Sequence, residues 1–182
     1  MNSEDASDIQ ASLNGDGQAY GRLIRRYQGE IAQQMRWFAR DAATLEALVQ
    51  EVFVEAYFGL AGFKGRSPLV HWLRKIATRV GYRHLKQESR RRAEATVPLQ
   101  DWDGILAAPR SVPPREAEEA IHDLLGRMAA RDRLVLTLLY LEQWSVAEAA
   151  DLTGWTRTMV KVQAFRARRK LKKLLEQREQ RQ

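Results

Sequence analysis

From Ser145 to Leu171 the chain reads SVAEAADLTGWTRTMVKVQAFRARRKL, the residues best placed to act on another molecule. Lys and Arg can neutralise phosphates or reach guanine edges, and Gln can pair with adenine, when a helix carries them into a major groove. The order of residues supplies such a helix. Ser145 with Glu148 three residues on has the pattern of a capping box, in which a hydroxyl and a carboxylate each accept from a backbone amide at a helix start. Val146, Ala149 and Ala150 give the short first helix an inner face. Gly154 stands where a tight inter-helix turn needs a residue tolerant of positive φ, and Thr156 can cap the second helix. In that second helix Val160, Ala164, Ala167 and Leu171 recur at the spacing of one buried face, which turns Lys161, Gln163, Arg166 and Lys170 outward. An ordinary solvated helix hairpin is the competing reading. Agreement of cap, turn and basic face weighs against it.

The rest of the chain must position this unit. Of 182 residues, 45% are hydrophobic, enough for one moderate core or two small ones, and the net charge of +7 with a pI near 10.0 favours a polyanionic partner. The charge is blocked. Ten Lys/Arg against Glu88 alone lie between Lys64 and Arg92, and ten more against Glu176 and Glu179 lie between Arg157 and Arg181. Between Glu94 and Asp123 seven acids outnumber Arg110 and Arg115. Without cysteine there are no disulfides or thiolate metal sites. His71, His84 and His122 stand apart without metal-ligand spacing, and neither a nucleophile motif nor a glycine-rich phosphate loop is present, so neither an enzymatic role nor a cofactor is expected. The longest apolar run, Leu134 to Leu141, is too short to span a bilayer, which predicts no stable membrane insertion. With no early apolar run to act as a signal peptide, the cytoplasm is the expected location.

Apolar spacing predicts helices over 7–13 and 18–40, broken by Asn14-Gly15-Asp16-Gly17, and a strongly periodic one from Leu45 to Leu60. Gly62 to Arg66 reads as a basic loop. Ser67 as cap and Pro68 at the first helical position then open another helix, with Leu69, Trp72, Leu73, Ile76, Ala77 and Val80 inward. Trp72 is expected in the core. The segment 93–114 loses periodicity and holds Pro98, Pro109, Pro113 and Pro114, as a flexible linker would. Beyond it Ala117, Ile121, Leu124, Leu125 and Met128 predict a helix, and the block through Leu141 is read as helix too. The expected fold is all-α: two small helical modules, 1–92 and 115–182, joined by the linker 93–114, the second containing the helix-turn-helix.

This arrangement resembles the sigma factors of bacterial RNA polymerase, specifically their extracytoplasmic-function group. Leu48-Val49-Gln50-Glu51-Val52-Phe53 stands where that family has its polymerase-binding helix. Trp72-Leu73 and Ile76-Ala77 stand at the start of its promoter-melting helix, and Val160-Lys161 with Phe165-Arg166-Ala167 where it reads the minus-thirty-five element. The resemblance implies that Glu46, Leu48, Val49, Gln50, Glu51 and Phe53 contact core RNA polymerase. It implies that Lys64, Arg66, Ser67, Lys75, Arg79, Tyr82, Arg83 and Lys86 hold minus-ten promoter DNA, with cations on phosphates, Tyr82 able to stack on an unpaired base, and the loop from Phe63 to Ser67 as the pocket for a flipped base. It assigns the minus-thirty-five element to Arg157, Thr158, Lys161, Val162, Gln163, Phe165, Arg166 and Lys170. An anti-sigma factor is the further partner implied. Four residues depart from the family pattern: Ala47 for an acid, Arg79 for Asn, Arg83 for Asp and Met159 for Thr. The expected function is promoter-specific initiation with core polymerase, including minus-ten melting. Two other classes compete: a stand-alone helix-turn-helix regulator with an N-terminal sensing or dimerisation module, and an RNA-binding adaptor. Dependence on core polymerase separates the first from both.

Overall fold

The computed structural model of the protein describes residues 3–94 and 114–179, and the expected linker lies almost wholly outside them. Among the described residues every regular element is helical. Helix α1 spans Ser3–Leu13, α2 Gly17–Met35, α3 Ala42–Gly59 and α4 Leu69–Glu94. After the linker come α5 Pro114–Gly126, α6 Ala130–Leu136, α7 Val146–Thr153 and α8 Arg157–Glu179. A 3-10 turn over Leu60–Gly62 succeeds α3, and a π-helical turn over Thr137–Leu141 extends α6. The 134–141 block is thus helical, as expected.

Local chemistry sets the boundaries. Asp16 caps α2 by accepting from the Gln18 and Ala19 amides, and Asp41 caps α3 by accepting from Thr44. Those bonds from Thr44 hold the Asp41 carboxyl below its ordinary pKa. Several boundaries differ from expectation: α1 begins at Ser3 rather than Ser7, and α3 at Ala42 rather than Leu45. Helix α2 stops at Met35 rather than Arg40, because the chain turns there to drive Phe38 fully inside, against Gly81. A Cβ at Gly81 would sit 2.6 Å from the Phe38 ring, so only glycine permits this approach. Helix α4 begins at Leu69, leaving Pro68 just outside with its carbonyl accepting from the His71 amide at 3.1 Å.

In the first module α1 lies on α2 through paired buried charge. Asp5 accepts from Arg26 and, at 2.6 Å, from the Tyr27 hydroxyl, while Asp8 accepts from Arg22 at 2.8 Å and from Arg26 at 3.1 Å. Burial pushes the Asp8 carboxyl up, but its bonds to Arg22 and Arg26 outweigh that and leave it below its ordinary value. Burial, with Asp5 beside it, pushes the Tyr27 hydroxyl up to about 12. Gln34 Nε2 of α2 donates to Thr78 Oγ1 of α4 at 3.0 Å, a polar bridge in an otherwise apolar interior.

Helix α4 also packs on α6 and α7, so one apolar cluster runs through both modules, from Ile9 to Ala167. Composition allowed one moderate core or two small ones. The single continuous core arises from a second buried face on α4. Near the chain's middle, Arg133 of α6 is buried with its guanidinium on Glu88 of α4 at 3.0 Å and on the Trp37 carbonyl at 3.3 Å. Glu88 also accepts from Arg92 at 2.6 Å and lies 3.4 Å from Arg40. One carboxylate thereby meets three guanidinium groups at the module contact, of which Arg133 comes from the second module. Trp37 stacks on His122 of α5 alongside it, with centroids 5.9 Å apart.

Candidate nucleic-acid interfaces and docking groove

The helix-turn-helix is assembled as its residues dictate. Ser145 Oγ accepts from the Glu148 amide at 3.2 Å, and Glu148 Oε2 accepts from the Ser145 amide at 2.9 Å, closing the capping box. Those bonds from Ser145 hold the Glu148 carboxyl below its ordinary value. Gly154 takes φ 72°, and Thr156 Oγ1 accepts from the Met159 amide at 3.1 Å to start α8. Val160, Ala164 and Ala167 are buried, and Leu171 is half-buried beside them. Arg157, Thr158, Lys161, Val162, Phe165 and Arg166 stand exposed on the far side. Gln163 and Lys170 are engaged instead: both donate to the carboxylate of Asp132, at 2.6 and 2.5 Å, and tie α8 to α6. Asp132 is buried, so these two donors neutralise and satisfy a group that would otherwise be costly to bury. Periodicity on α8 alone turns Gln163 and Lys170 outward; their partner lies more than 30 residues away in sequence.

The expected minus-ten surface divides into three parts. Lys64, Arg66 and Ser67 are exposed in the loop before α4, where Gly65 takes φ 66°, and Arg79 is exposed on α4 itself. Lys75 and Tyr82, read as facing away from the core, face the second module: Lys75 Nζ is 2.8 Å from Asp151, and the Tyr82 ring meets Trp155 edge-on at 6.3 Å. Lys86 lies over the Tyr82 ring at 5.3 Å, and Arg74, one residue before Lys75, covers Trp144 at 4.9 Å. Arg83 is gripped by Glu51 and Glu55 of α3, at 2.5 and 2.6 Å. The bond to Glu55, then that to Glu51, raises the Arg83 pKa. Trp72 packs between Phe63, at 5.3 Å, and the backbone of Gly59, in keeping with a core role.

On α3, Glu46, Gln50 and Glu51 are exposed, Val49 is half-buried, and Leu48 and Phe53 are buried. The last two support the surface more than they present it. Beside these residues runs an apolar groove between α2 and α3, lined by Tyr20, Ile24, Gln28, Gly29 and Ala32 on one wall and by Leu45, Val49, Phe53, Val54, Tyr57 and Phe58 on the other. Val54, Tyr57 and Phe58 are exposed, Phe58 to 79%. Sequence reasoning missed this groove. The available signal was that Val54, Tyr57 and Phe58 exceed what one buried stripe of α3 requires. Tyr20 and Tyr57 meet edge-on at 5.0 Å, and the Tyr20 hydroxyl donates to the Phe53 carbonyl, which fixes the groove's aromatic end. Among the described residues no group of His, Asp and Glu is placed to hold a metal, and no helix is long and apolar enough to cross a membrane.

Comparison with known proteins places both modules. Residues 23–91 match the family model of Sigma-70 region 2, and residues 118–171 that of Sigma-70, region 4. RNA polymerase sigma-H factor of Pseudomonas aeruginosa is 28% identical over 182 aligned residues, covering 95% of this chain and 94% of that protein. The ECF RNA polymerase sigma factor SigM of Mycobacterium tuberculosis is 25% identical, covering 94% and 84%. Among solved structures, CnrH in complex with the cytosolic domain of CnrY is similar with a TM-score of 0.63 and 25% identity, covering 95% of this chain and 97% of that one. RpoE of Bartonella quintana, solved with the anti-sigma factor NepR, shares the fold at a TM-score of 0.59, 19% identity and coverage of 86% and 96%. With both regions matched in order, on an all-helical fold, and with full-length relatives bearing that name, the chain belongs to the extracytoplasmic-function group of the sigma-70 family.

Proposed function

We propose that this chain binds core RNA polymerase through the α2/α3 groove and its acidic α3 rim, and directs it to promoters by reading the minus-thirty-five element with α8 and melting the minus-ten element with the loop 63–67 and α4. It acts as an initiation factor in the cytoplasm and catalyses no covalent step itself. The observation that carries the reading is the presence, in one chain, of an open apolar groove with Glu46, Gln50 and Glu51 at its edge and a capped helix-turn-helix whose outer face carries Arg157, Lys161 and Arg166. Apolar anchors with a polar rim suit docking on a large assembly. Cations on a groove-sized helix suit DNA.

The same reading requires the modules to part. Lys75 and Tyr82 are engaged by Asp151 and Trp155, so a separated strand reaches them only once α7 and the turn that follows it have left α4. An anti-sigma protein is inferred as a further partner: RpoE was solved with the anti-sigma factor NepR, and CnrH with the cytosolic domain of CnrY. The functional test is run-off transcription with core polymerase and a promoter enriched by the reconstituted holoenzyme. Transcripts should depend on this chain. Lys161→Ala and Arg166→Ala should each weaken promoter binding by about 1 to 3 kcal/mol, with relaxed preference at one or two base pairs if the contact is to base edges. A footprint on duplex DNA by the chain alone, without effect on polymerase, would instead favour a free-standing regulator.

A further inference from the structure

The outer face of α8 is not simply cationic. Val162 lies four residues after Thr158 and four before Arg166, on the side opposite the buried line of Val160, Ala164 and Ala167. It is 43% exposed, Phe165 54% and Met159 36%. In a helix-turn-helix the first turns of the second helix meet the base edges. Here those turns offer an apolar patch. Gln163, the residue best suited to pair with adenine, is held by the buried Asp132. Arg157, Lys161 and Arg166 border the patch, and the Arg169 guanidinium lies 5.9 Å from the centre of the Phe165 ring. A cationic border suits a polyanion, and the apolar group that a base pair shows in the major groove is the 5-methyl of thymine.

We propose that Met159, Val162 and Phe165 read thymine methyl groups, so that this chain selects T·A pairs within its minus-thirty-five element. The proposal rests on the assignment of α8 to the major groove and adds what it selects there. Met159, where the family usually has Thr, thereby gains a role in specificity.

The test uses the reconstituted holoenzyme. A duplex is first enriched from a library randomised across the minus-thirty-five region, and its binding is then compared with duplexes carrying deoxyuridine in place of each thymidine in turn, a change that removes only the methyl group. At one or two positions the uracil duplex should bind about fourfold more weakly, the effect of removing one methyl-sized group from a buried contact. In Val162→Ala and Met159→Ala that ratio should fall towards one at the affected position, whereas in Lys161→Ala overall binding should weaken with the ratio retained. These residues are exposed, so the substitutions do not threaten the fold. Equal binding of thymine and uracil duplexes at every position would overturn the proposal while leaving the groove assignment intact. So would a ratio that persists in both alanine variants, and so would indifference of DNA binding to all three apolar residues, which would assign the patch to a protein contact. Failure to enrich any minus-thirty-five element would overturn the groove assignment, and the proposal with it.

Discussion

Helices α4 and α8 belong to the two cationic blocks of the chain, yet the fold treats them in opposite ways. Helix α8 buries one stripe and leaves Thr158, Val162, Phe165 and Arg166 to solvent. Helix α4 is buried on two sides: its own module covers Leu69, Leu73, Ile76 and Val80, and the second module engages Lys75, Tyr82 and Glu88. The surface proposed for duplex recognition is therefore open in the free chain, while part of the surface proposed for single-stranded DNA is closed. On that proposal recognition precedes melting, because the second task needs a rearrangement that the first does not.

The sharpest way to break this contrast is at Glu88. Removing the carboxylate leaves Arg133 buried without its partner, and breaking such a pair costs about 3 kcal/mol. Glu88→Ala should therefore open the module contact, read as an increase in radius of gyration by small-angle scattering, with both modules still helical by circular dichroism. A smaller effect is expected in the α2/α3 groove. Tyr57→Ala with Phe58→Ala should weaken core polymerase binding about tenfold in a direct titration, as loss of apolar anchors does, without changing the module contact. Ser145→Ala removes half of the capping box and should destabilise the second module by about 1 kcal/mol in denaturant unfolding.

The mildest prediction concerns pH and the first module alone. The Asp8 carboxyl titrates below its ordinary value of 3.8 when folded, so the stability it contributes is present above that value and is lost as pH falls through the folded pKa. Asp8→Asn should lower the melting temperature at neutral pH and flatten its fall below about pH 4. Both cationic helices should be unaffected.

Residues whose partners are close in sequence could be read from the chain alone. Ser145, Glu148, Gly154 and Thr156 act within a few positions of one another, and each does in the structure what its type implies. The helical order and the buried stripe of α8 come in the same way from spacing. Periodicity, however, assigns a helix one buried face. It could not show that α4 has two, that α2 ends early to bury Phe38 against Gly81, or that α2 and α3 leave a groove between them. The pairs that revise the site are distant in sequence: Lys75 with Asp151, Glu88 with Arg133, and Asp132 with Gln163 and Lys170. No local signal marks such partners, because each residue alone reads as one more solvated polar group.

The contrast between a covered α4 and an open α8 is tested most directly by the distance between modules as core polymerase is added. The chain has no cysteine, so Arg25→Cys on α2 and Gln177→Cys on α8, both exposed, give a unique pair of spin labels. Pulsed electron resonance should find a single distance in the free chain and a longer one in the holoenzyme. The same distance in both, from a holoenzyme that still opens promoters, would contradict the account.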